Sequence, residues 1–356
     1  MKIVFVTPSL ATGGRERVMS SLMNFCIQKG DEVHLVLYAK NRIIYFPLDS
    51  KVIIHEPSFG KCRSDMLYAL KSILFIRKTV SKIKADRMVS FEEKWNRLAL
   101  LATLGLNIRK IISNRNNPYR DYGFIDRKLA AWLYPKADLL IAQTQIAKDV
   151  YEKRYELKKC IVIGNPINQL NIDFSACERE NIVVSVGRLM NSKNHDRLIH
   201  IFSKTDYKNW KLVIVGGDFA NHNNSVKLKK MIKELHLEDK VILAGAQKDV
   251  NSYLLKSKIF AFTSEMEGFP NVIGEAMAAQ LPVVSYDCVA GPRDMITDGE
   301  DGFLIPVYDD DLFIEKLNKL MIDEFLRIKM AEAAVNSIRK FDSEMILGKF
   351  YNAIVE

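Results

Sequence analysis

Within the segment EGFPNVIGEAM (residues 267–277), two carboxylates, Glu267 and Glu275, stand eight positions apart on either side of a Gly-Phe-Pro turn. An apolar run at residues 259–262 precedes the segment and Leu281-Pro282 follows it. The pattern predicts a strand, a turn, and a helix that begins near Asn271 and stops before the proline. A helix start presents unpaired N–H groups and the positive end of a dipole, which suits an anion such as a diphosphate. Glu267 precedes the turn and Glu275 lies about one turn inside the helix, so both can border one pocket. Carboxylates are acceptors only, and beside a phosphate they are best used on hydroxyls, those of a ribose and of a sugar. The competing reading is a surface helix with two solvated glutamates.

The elements that would position this segment repeat along the chain. Residues 3–6 form a short apolar strand that feeds Gly13-Gly14 and an amphipathic helix, the first unit of a doubly wound sheet. Strand patterns recur at residues 32–37, 52–55, 87–91, 110–113 and 137–144. Asn114-Arg115-Asn116-Asn117-Pro118 follows the fourth of these, a place where such sheets bind ligands. Residues 61–84 carry seven basic residues against one acidic residue, with Leu67, Leu70, Ile73, Leu74 and Ile76 at helical spacing. That segment reads either as a helix packed on the sheet with a solvated basic face or as a basic amphipathic surface for anionic lipid. Gly164-Asn165-Pro166 punctuates the chain, and the interdomain linker is placed after it. The strand pattern then restarts at residues 181–186, followed by Gly187, Arg188 and Lys193, where glycine allows close backbone approach and the cations supply positive charge. Further strands are expected at residues 211–217, 241–245, 282–285 and 302–305. Tyr308-Asp309-Asp310-Asp311 invites a metal reading, but its position before a helical run makes it a helix cap, and no metal is assigned.

Three of these segments carry a resemblance. EGFPNVIGEAM resembles the Glu-(seven residues)-Glu motif of retaining glycosyltransferases of family 4; Gly13, Gly14, Glu16 and Arg17 resemble that family's Gly-Gly-x-Glu-Arg loop; Gly187-Arg188-Leu189 with Lys193-Asn194 resembles its Gly-Arg-Leu…Lys-Asn segment. The resemblance implies the GT-B fold: an α/β protein with two Rossmann-like domains facing a cleft and a C-terminal helix crossing back to the first. The expected domains are 1–168 for the acceptor, 169–340 for the nucleotide sugar, and 341–356 for the returning helix. It implies retaining transfer from a UDP-sugar with Arg188, Lys193 and Glu267 in catalysis and no cofactor. Gly14, Gly187, Gly268, Phe269, Pro270, Asn271, Val272 and Glu275 are then expected at the donor, and Gly13, Arg17, Asn114 and Arg115 on the acceptor side. The family also has members with a histidine or glutamate where Asn114 falls. Within it the match looks most like enzymes that build bacterial surface polysaccharide on lipid-linked or lipopolysaccharide acceptors.

A chain of 356 residues is expected to form two domains. Its five cysteines are widely spaced without a Cys-x-x-Cys pair and are expected to be reduced. No apolar run is long enough to span a bilayer and no signal-peptide pattern opens the chain, so a cytoplasmic protein, peripheral at the inner membrane face, is expected. The net charge of +9 is unevenly distributed: residues 1–170 hold 29 Lys and Arg against 15 Asp and Glu, and the remainder is net acidic. An anionic membrane surface or a pyrophosphate-bearing acceptor suits such a half better than nucleic acid, for which no motif is present. A nucleotide-dependent oxidoreductase would need a full glycine fingerprint, which neither half has. A sugar-nucleotide epimerase of the same fold and a non-catalytic sugar-nucleotide-binding protein remain as alternatives.

Overall fold

The computed structural model describes residues 1–11, 13–39, 42–60, 63–170, 172–206, 208–218 and 223–356. The chain divides into two compact units, residues 1–166 with 344–356, and residues 167–343. The division falls two residues before the boundary placed at 168.

In unit 1 the order is β1 (Lys2–Thr7), α1 (Gly14–Gln28), β2 (Glu32–Leu37), β3 (Ile53–His55), α2 (Asp65–Ile83), β4 (Arg87–Phe91), α3 (Glu93–Ala102), β5 (Arg109–Ser113), α4 (Phe124–Leu133), β6 (Leu139–Ala142), α5 (Gln145–Arg154) and β7 (Cys160–Val162). Every pairing in its sheet is parallel, and the strand order is β3-β2-β1-β4-β5-β6-β7. Val4, Val6, Met88, Ile112 and Leu140 point to one face, where Ile76 and Val80 of α2, Leu100 of α3 and Leu133 of α4 cover them. Strands buried on both faces read as continuous apolar runs, which is why they were visible in the sequence. The three-residue β7 was not, because Cys160-Ile161-Val162 is too short to show a period.

Unit 2 repeats the plan with β8 (Ile182–Val186), α6 (His195–Ser203), β9 (Lys211–Val215), α7 (Asn224–Glu234), β10 (Val241–Gly245), α8 (Asn251–Lys256), β11 (Ile259–Phe262), α9 (Asn271–Ala278), β12 (Val283–Tyr286), α10 (Pro292–Met295), β13 (Gly302–Ile305), α11 (Asp310–Ile322) and α12 (Glu324–Ile338). Its sheet is also parallel, in the order β10-β9-β8-β11-β12-β13. Asp309 caps α11, its carboxylate accepting from the Leu312 N–H at 3.1 Å. Gly274 lets α12 approach α9, since a Cβ there would lie 2.8 Å from Ile167 Cδ1 and 3.3 Å from Ile338 Cδ1.

The final helix, α13 (Ser343–Val355), belongs from Glu344 onward to unit 1. Ile346, Phe350 and Ile354 are buried there. Phe350 meets Phe91 with ring centroids 6.1 Å apart, and Arg87 of β4 donates to the carbonyls of Ile354 and Val355 at 2.8 and 3.1 Å. These bonds satisfy orphan carbonyls at the helix end with a cation, which the helix dipole also favours.

Candidate functional site

In unit 2 the strand order reverses between β8 and β11, and the carboxyl ends of adjacent strands at such a switch point form a ligand crevice. The loop after β8 carries Gly187, Arg188 and Lys193; the turn after β11 carries Glu267 and leads into α9. The sequence signals therefore converge on one place.

Glycine is required where these strands end. Gly187 N–H donates to Val215 O at 2.9 Å, Leu189 N–H donates to Gly217 O at 2.8 Å, and a Cβ on Gly216 would strike the Gly187 carbonyl. The loop then turns through residues 191–193 into Asn194, whose φ of 51° is left-handed, a conformation asparagine tolerates. Thr263, just past β11, fastens this loop: its hydroxyl lies 2.9 Å from Lys193 O and 3.2 Å from Asn194 O, and its carbonyl accepts from Asn194 Nδ2 at 3.1 Å. Glu265 N–H adds a bond to Ser192 O at 3.1 Å. Lys193 is thereby held at the end of β11, where its ammonium forms an ion pair with Glu267 and lies 5.6 Å from the Phe262 ring centroid. Both members of the pair are largely buried, with side-chain exposures of 17% and 15%. Arg188 is exposed at the mouth.

Pro270 is the N-cap of α9 and Glu275 lies one turn along it, partly buried. Asn271 and Val272, both expected at the donor, are the first two residues of α9, and the Asn271 N–H already donates to Phe269 O at 3.0 Å. Phe269, expected at the donor, is buried and meets Phe341 edge-on at 5.3 Å, so its side chain anchors the turn and only its backbone is at the site. Gly291, at φ 105°, abuts the Pro270 ring, and a Cβ there would overlap it. Its N–H reaches Asp294 Oδ2 at 3.3 Å.

His195 opens α6 directly behind Lys193 and was passed over in the sequence, where a lone histidine has no motif. It is 4% exposed and its Nδ1 is buried without a hydrogen-bond partner among the described residues. Burial, reinforced by the Lys193 charge, pushes the imidazole down to about 4 from an ordinary 6.5. The unfolded chain therefore binds more protons between those values, so stability is present above pH 6.5 and is lost as pH falls toward 4. By pH 5 the expected loss from this residue is roughly 2 kcal/mol. Urea denaturation at pH 7 and pH 5 checks this: His195→Gln should flatten the decline, and an equal decline in that variant contradicts it.

In unit 1 the corresponding reversal lies between β1 and β4. Gly13 is extended, with φ 171°, and its carbonyl accepts from Arg17 N–H at 3.1 Å to start α1. Gly14 is the first residue of that helix. The cation held by carboxylates here is Arg15, which pairs with Glu92 and with Glu16. It lies inside the Gly-Gly-Arg-Glu-Arg motif, but only the fold brings it to Glu92. Glu92 follows β4 with φ 82°, a conformation costly for a residue with a Cβ, and burial raises its carboxyl against the opposing pull of Arg15. Asn114 is committed internally, its Oδ1 accepting from Asn96 Nδ2 at 3.0 Å and from the Tyr134 hydroxyl at 3.1 Å. Arg115 lies over the rings of Phe91 and Phe350 at 4.1 and 5.1 Å and donates to Asn165 Oδ1 at 2.5 Å. Burial lowers its guanidinium to about 9. Both residues thus brace the loop after β5 within the unit.

Residues 170–339 match the family described as "Glycosyl transferases group 1", and residues 12–169 match "Glycosyltransferase Family 4". The amylovoran biosynthesis glycosyltransferase AmsD of Erwinia amylovora is 30% identical over 347 residues, 95% of each chain. The N-acetylgalactosamine-N,N'-diacetylbacillosaminyl-diphospho-undecaprenol 4-alpha-N-acetylgalactosaminyltransferase of Campylobacter jejuni is also 30% identical, over 357 residues and 95% of each chain. Among solved structures, Anabaena HepE in complex with UDP and glucose is similar with a TM-score of 0.85 at 18% identity, covering 100% of both chains. The two parallel-sheet units and these likenesses together establish that the chain belongs to glycosyltransferase family 4 and is a glycosyltransferase of the GT-B fold.

Proposed function

We propose that the chain transfers a hexose or N-acetylhexosamine from a UDP-sugar, with retention and without a metal, to a lipid-linked or lipopolysaccharide or capsule saccharide. The enzyme works peripherally on an anionic membrane surface. The observation that carries this reading is the Lys193–Glu267 pair, fixed by Thr263 at the entrance to α9. Breaking a glycosyl–phosphate bond builds negative charge on the diphosphate and positive charge on the sugar. A cation already in place at a helix start stabilises the first without reorganisation. Arg188 joins Lys193 on the diphosphate, with Val272 N–H at the head of the helix. Glu275 receives the ribose hydroxyls, and Glu267, released from Lys193 when phosphate arrives, receives hydroxyls of the sugar and faces its developing charge. On the acceptor side the strained, partly buried Glu92 is the carboxylate placed to accept from an incoming hydroxyl, with Arg15 holding it. HepE is a structural neighbour solved with UDP, and the name of the Campylobacter relative gives it a diphospho-undecaprenol acceptor, which supports the choice of donor and acceptor class.

The test is transfer from a panel of α-configured UDP-, GDP- and ADP-sugars to undecaprenyl-diphosphate-linked saccharides in the presence of EDTA. Product stereochemistry is read by NMR. The expected result is an α-linked product from a UDP-sugar; a β-linked product rejects retention, and strict dependence on added divalent cation rejects the metal-free scheme.

A further inference from the structure

The sequence leaves two readings for α2, apolar positions packed on the sheet or offered to anionic lipid, and the structure divides those positions between the sheet and the surface. Its buried row is Ser72, Ile76 and Val80, three positions four apart. Met66, Leu70 and Leu74 form a second row of the same spacing on the opposite side of the helix, and they are 83%, 53% and 58% exposed. Leu67 is exposed beside them. On the same side Lys71 lies between Leu70 and Leu74, Lys78 and Lys82 follow toward the C-terminal end, and all three are exposed. The helix therefore interleaves apolar and basic side chains on its outer side, with Asp65 its sole acidic residue, at its very start.

Two helices along, α4 does the same with larger side chains. α2, α3 and α4 cover one face of the unit 1 sheet through a shared core, α3 lying between the other two. Phe124 and Ile125 at the start of α4 are 67% and 80% exposed, and Trp132 at its end is 49% exposed. Lys128 sits 5.7 Å from the Phe124 ring centroid and Lys136 sits 5.0 Å from that of Trp132. Isolated exposed apolar residues need no explanation, but bulky apolar groups on two helices that cover the same sheet face, each interleaved with lysine, do. A protein interface core is depleted in lysine. A bilayer surface rewards both components: the apolar groups enter the boundary of the acyl region, tryptophan settles at headgroup level, and lysines meet anionic headgroups at about 1 kcal/mol each. Among the described residues no helix is long and apolar enough to cross a membrane, so attachment through this face would be interfacial.

We propose that the outer face of α2 and α4 is the surface by which the protein lies on an anionic lipid bilayer, α2 through Met66, Leu70 and Leu74 and α4 through Phe124, Ile125 and Trp132. The inference deepens the membrane reading given under the proposed function and assigns it to a particular face. It also orients the acceptor side: the loop that leaves β5 beside Glu93 runs from Asn114 directly into Phe124, so the segment nearest the candidate acceptor residues ends in the lipid contact.

The test is co-sedimentation of the full chain with phosphatidylglycerol–phosphatidylcholine vesicles at low salt. The wild type is compared with Leu70→Gln/Leu74→Gln, Phe124→Ser/Ile125→Ser and Lys71→Glu/Lys78→Glu, and with Phe325→Ser, which removes an equally exposed side chain from unit 2. All substituted side chains are exposed, and circular dichroism confirms folding. Expected are a drop in vesicle partitioning of tenfold or more in each double variant and none in Phe325→Ser. Unchanged partitioning in the three double variants, no binding by the wild type, or a dimer in solution that the same substitutions dissolve would each overturn the proposal. UDP binding measured in parallel should be unaltered throughout. Vesicle binding that follows the expected pattern, with no transfer to a lipid-linked acceptor, would remove the acceptor reading and leave this surface standing.

Discussion

Lys193→Ala should lower kcat/KM on the order of 10²- to 10³-fold, the range found when one preorganised charge-stabilising group is removed from an active site. The reason lies in how the lysine is held. Thr263 and Glu265 fasten the backbone of residues 192–194 to the end of β11, so the ammonium is positioned before any ligand arrives. Its partner Glu267 is left partly buried and uncompensated in the variant, which adds a local stability cost of about 1–3 kcal/mol. Lys193→Arg should recover little, since a planar fork does not occupy the place of a compact ammonium in a loop so tightly bound. Steady-state kinetics with the preferred donor checks both variants. Activity within threefold of wild type in Lys193→Ala would mean that the diphosphate is held elsewhere.

Gly291→Ala should be among the most damaging single methyls in unit 2. At φ 105° an alanine is strained by about 1–3 kcal/mol, and its Cβ would overlap the Pro270 ring, adding overpacking of similar size. A combined loss of about 3 kcal/mol corresponds to a fall in melting temperature of roughly 10 °C for a unit of this size. Pro270 can move only by dragging the first turn of α9, so donor affinity should fall along with stability. Gly299→Ala is the control: its φ is 78°, but nothing lies within 4 Å of the added Cβ. It should cost only the backbone strain and leave donor affinity alone. Equal melting temperatures for the two variants would show that the contact with Pro270 is unimportant.

The sequence was most informative where one residue type has one use. Glycines pressed between strand ends, a proline that must open or close a helix, and apolar runs buried on both faces gave β8, β11 and α9 nearly to the residue. The unit 2 crevice was legible because its lining lies within a few residues of strand ends: Lys193 and Glu267 are 74 positions apart yet follow adjacent strands. The Arg15–Glu92 pair of unit 1 was not, because it depends on the crossover. Arg15 meets Glu92 only once β1 and β4 are neighbours, and no local pattern marks that contact. Asn114 and Arg115 occupy a binding position in such sheets, and what decides their role is packing against Tyr134, Phe91 and Phe350, the last of them more than two hundred residues away along the chain. In α2 the helical period was plain, but a period shows which residues share a face and leaves open which face is buried. Ile76 and Val80 turned inward while Leu70 and Leu74 turned outward.

In the proposed scheme the crevice at β8, β11 and α9 holds the diphosphate and ribose of a nucleotide donor through Lys193 and Glu275. Its most direct measurement is calorimetric titration of UDP in EDTA into the wild type, Lys193→Ala and Glu275→Ala. The wild type should bind UDP and both variants should bind it at least tenfold more weakly, Lys193→Ala losing the diphosphate and Glu275→Ala losing the ribose, with uridine alone insensitive to the lysine. A wild type that ignores UDP, or variants that bind it as well as the wild type does, would contradict it.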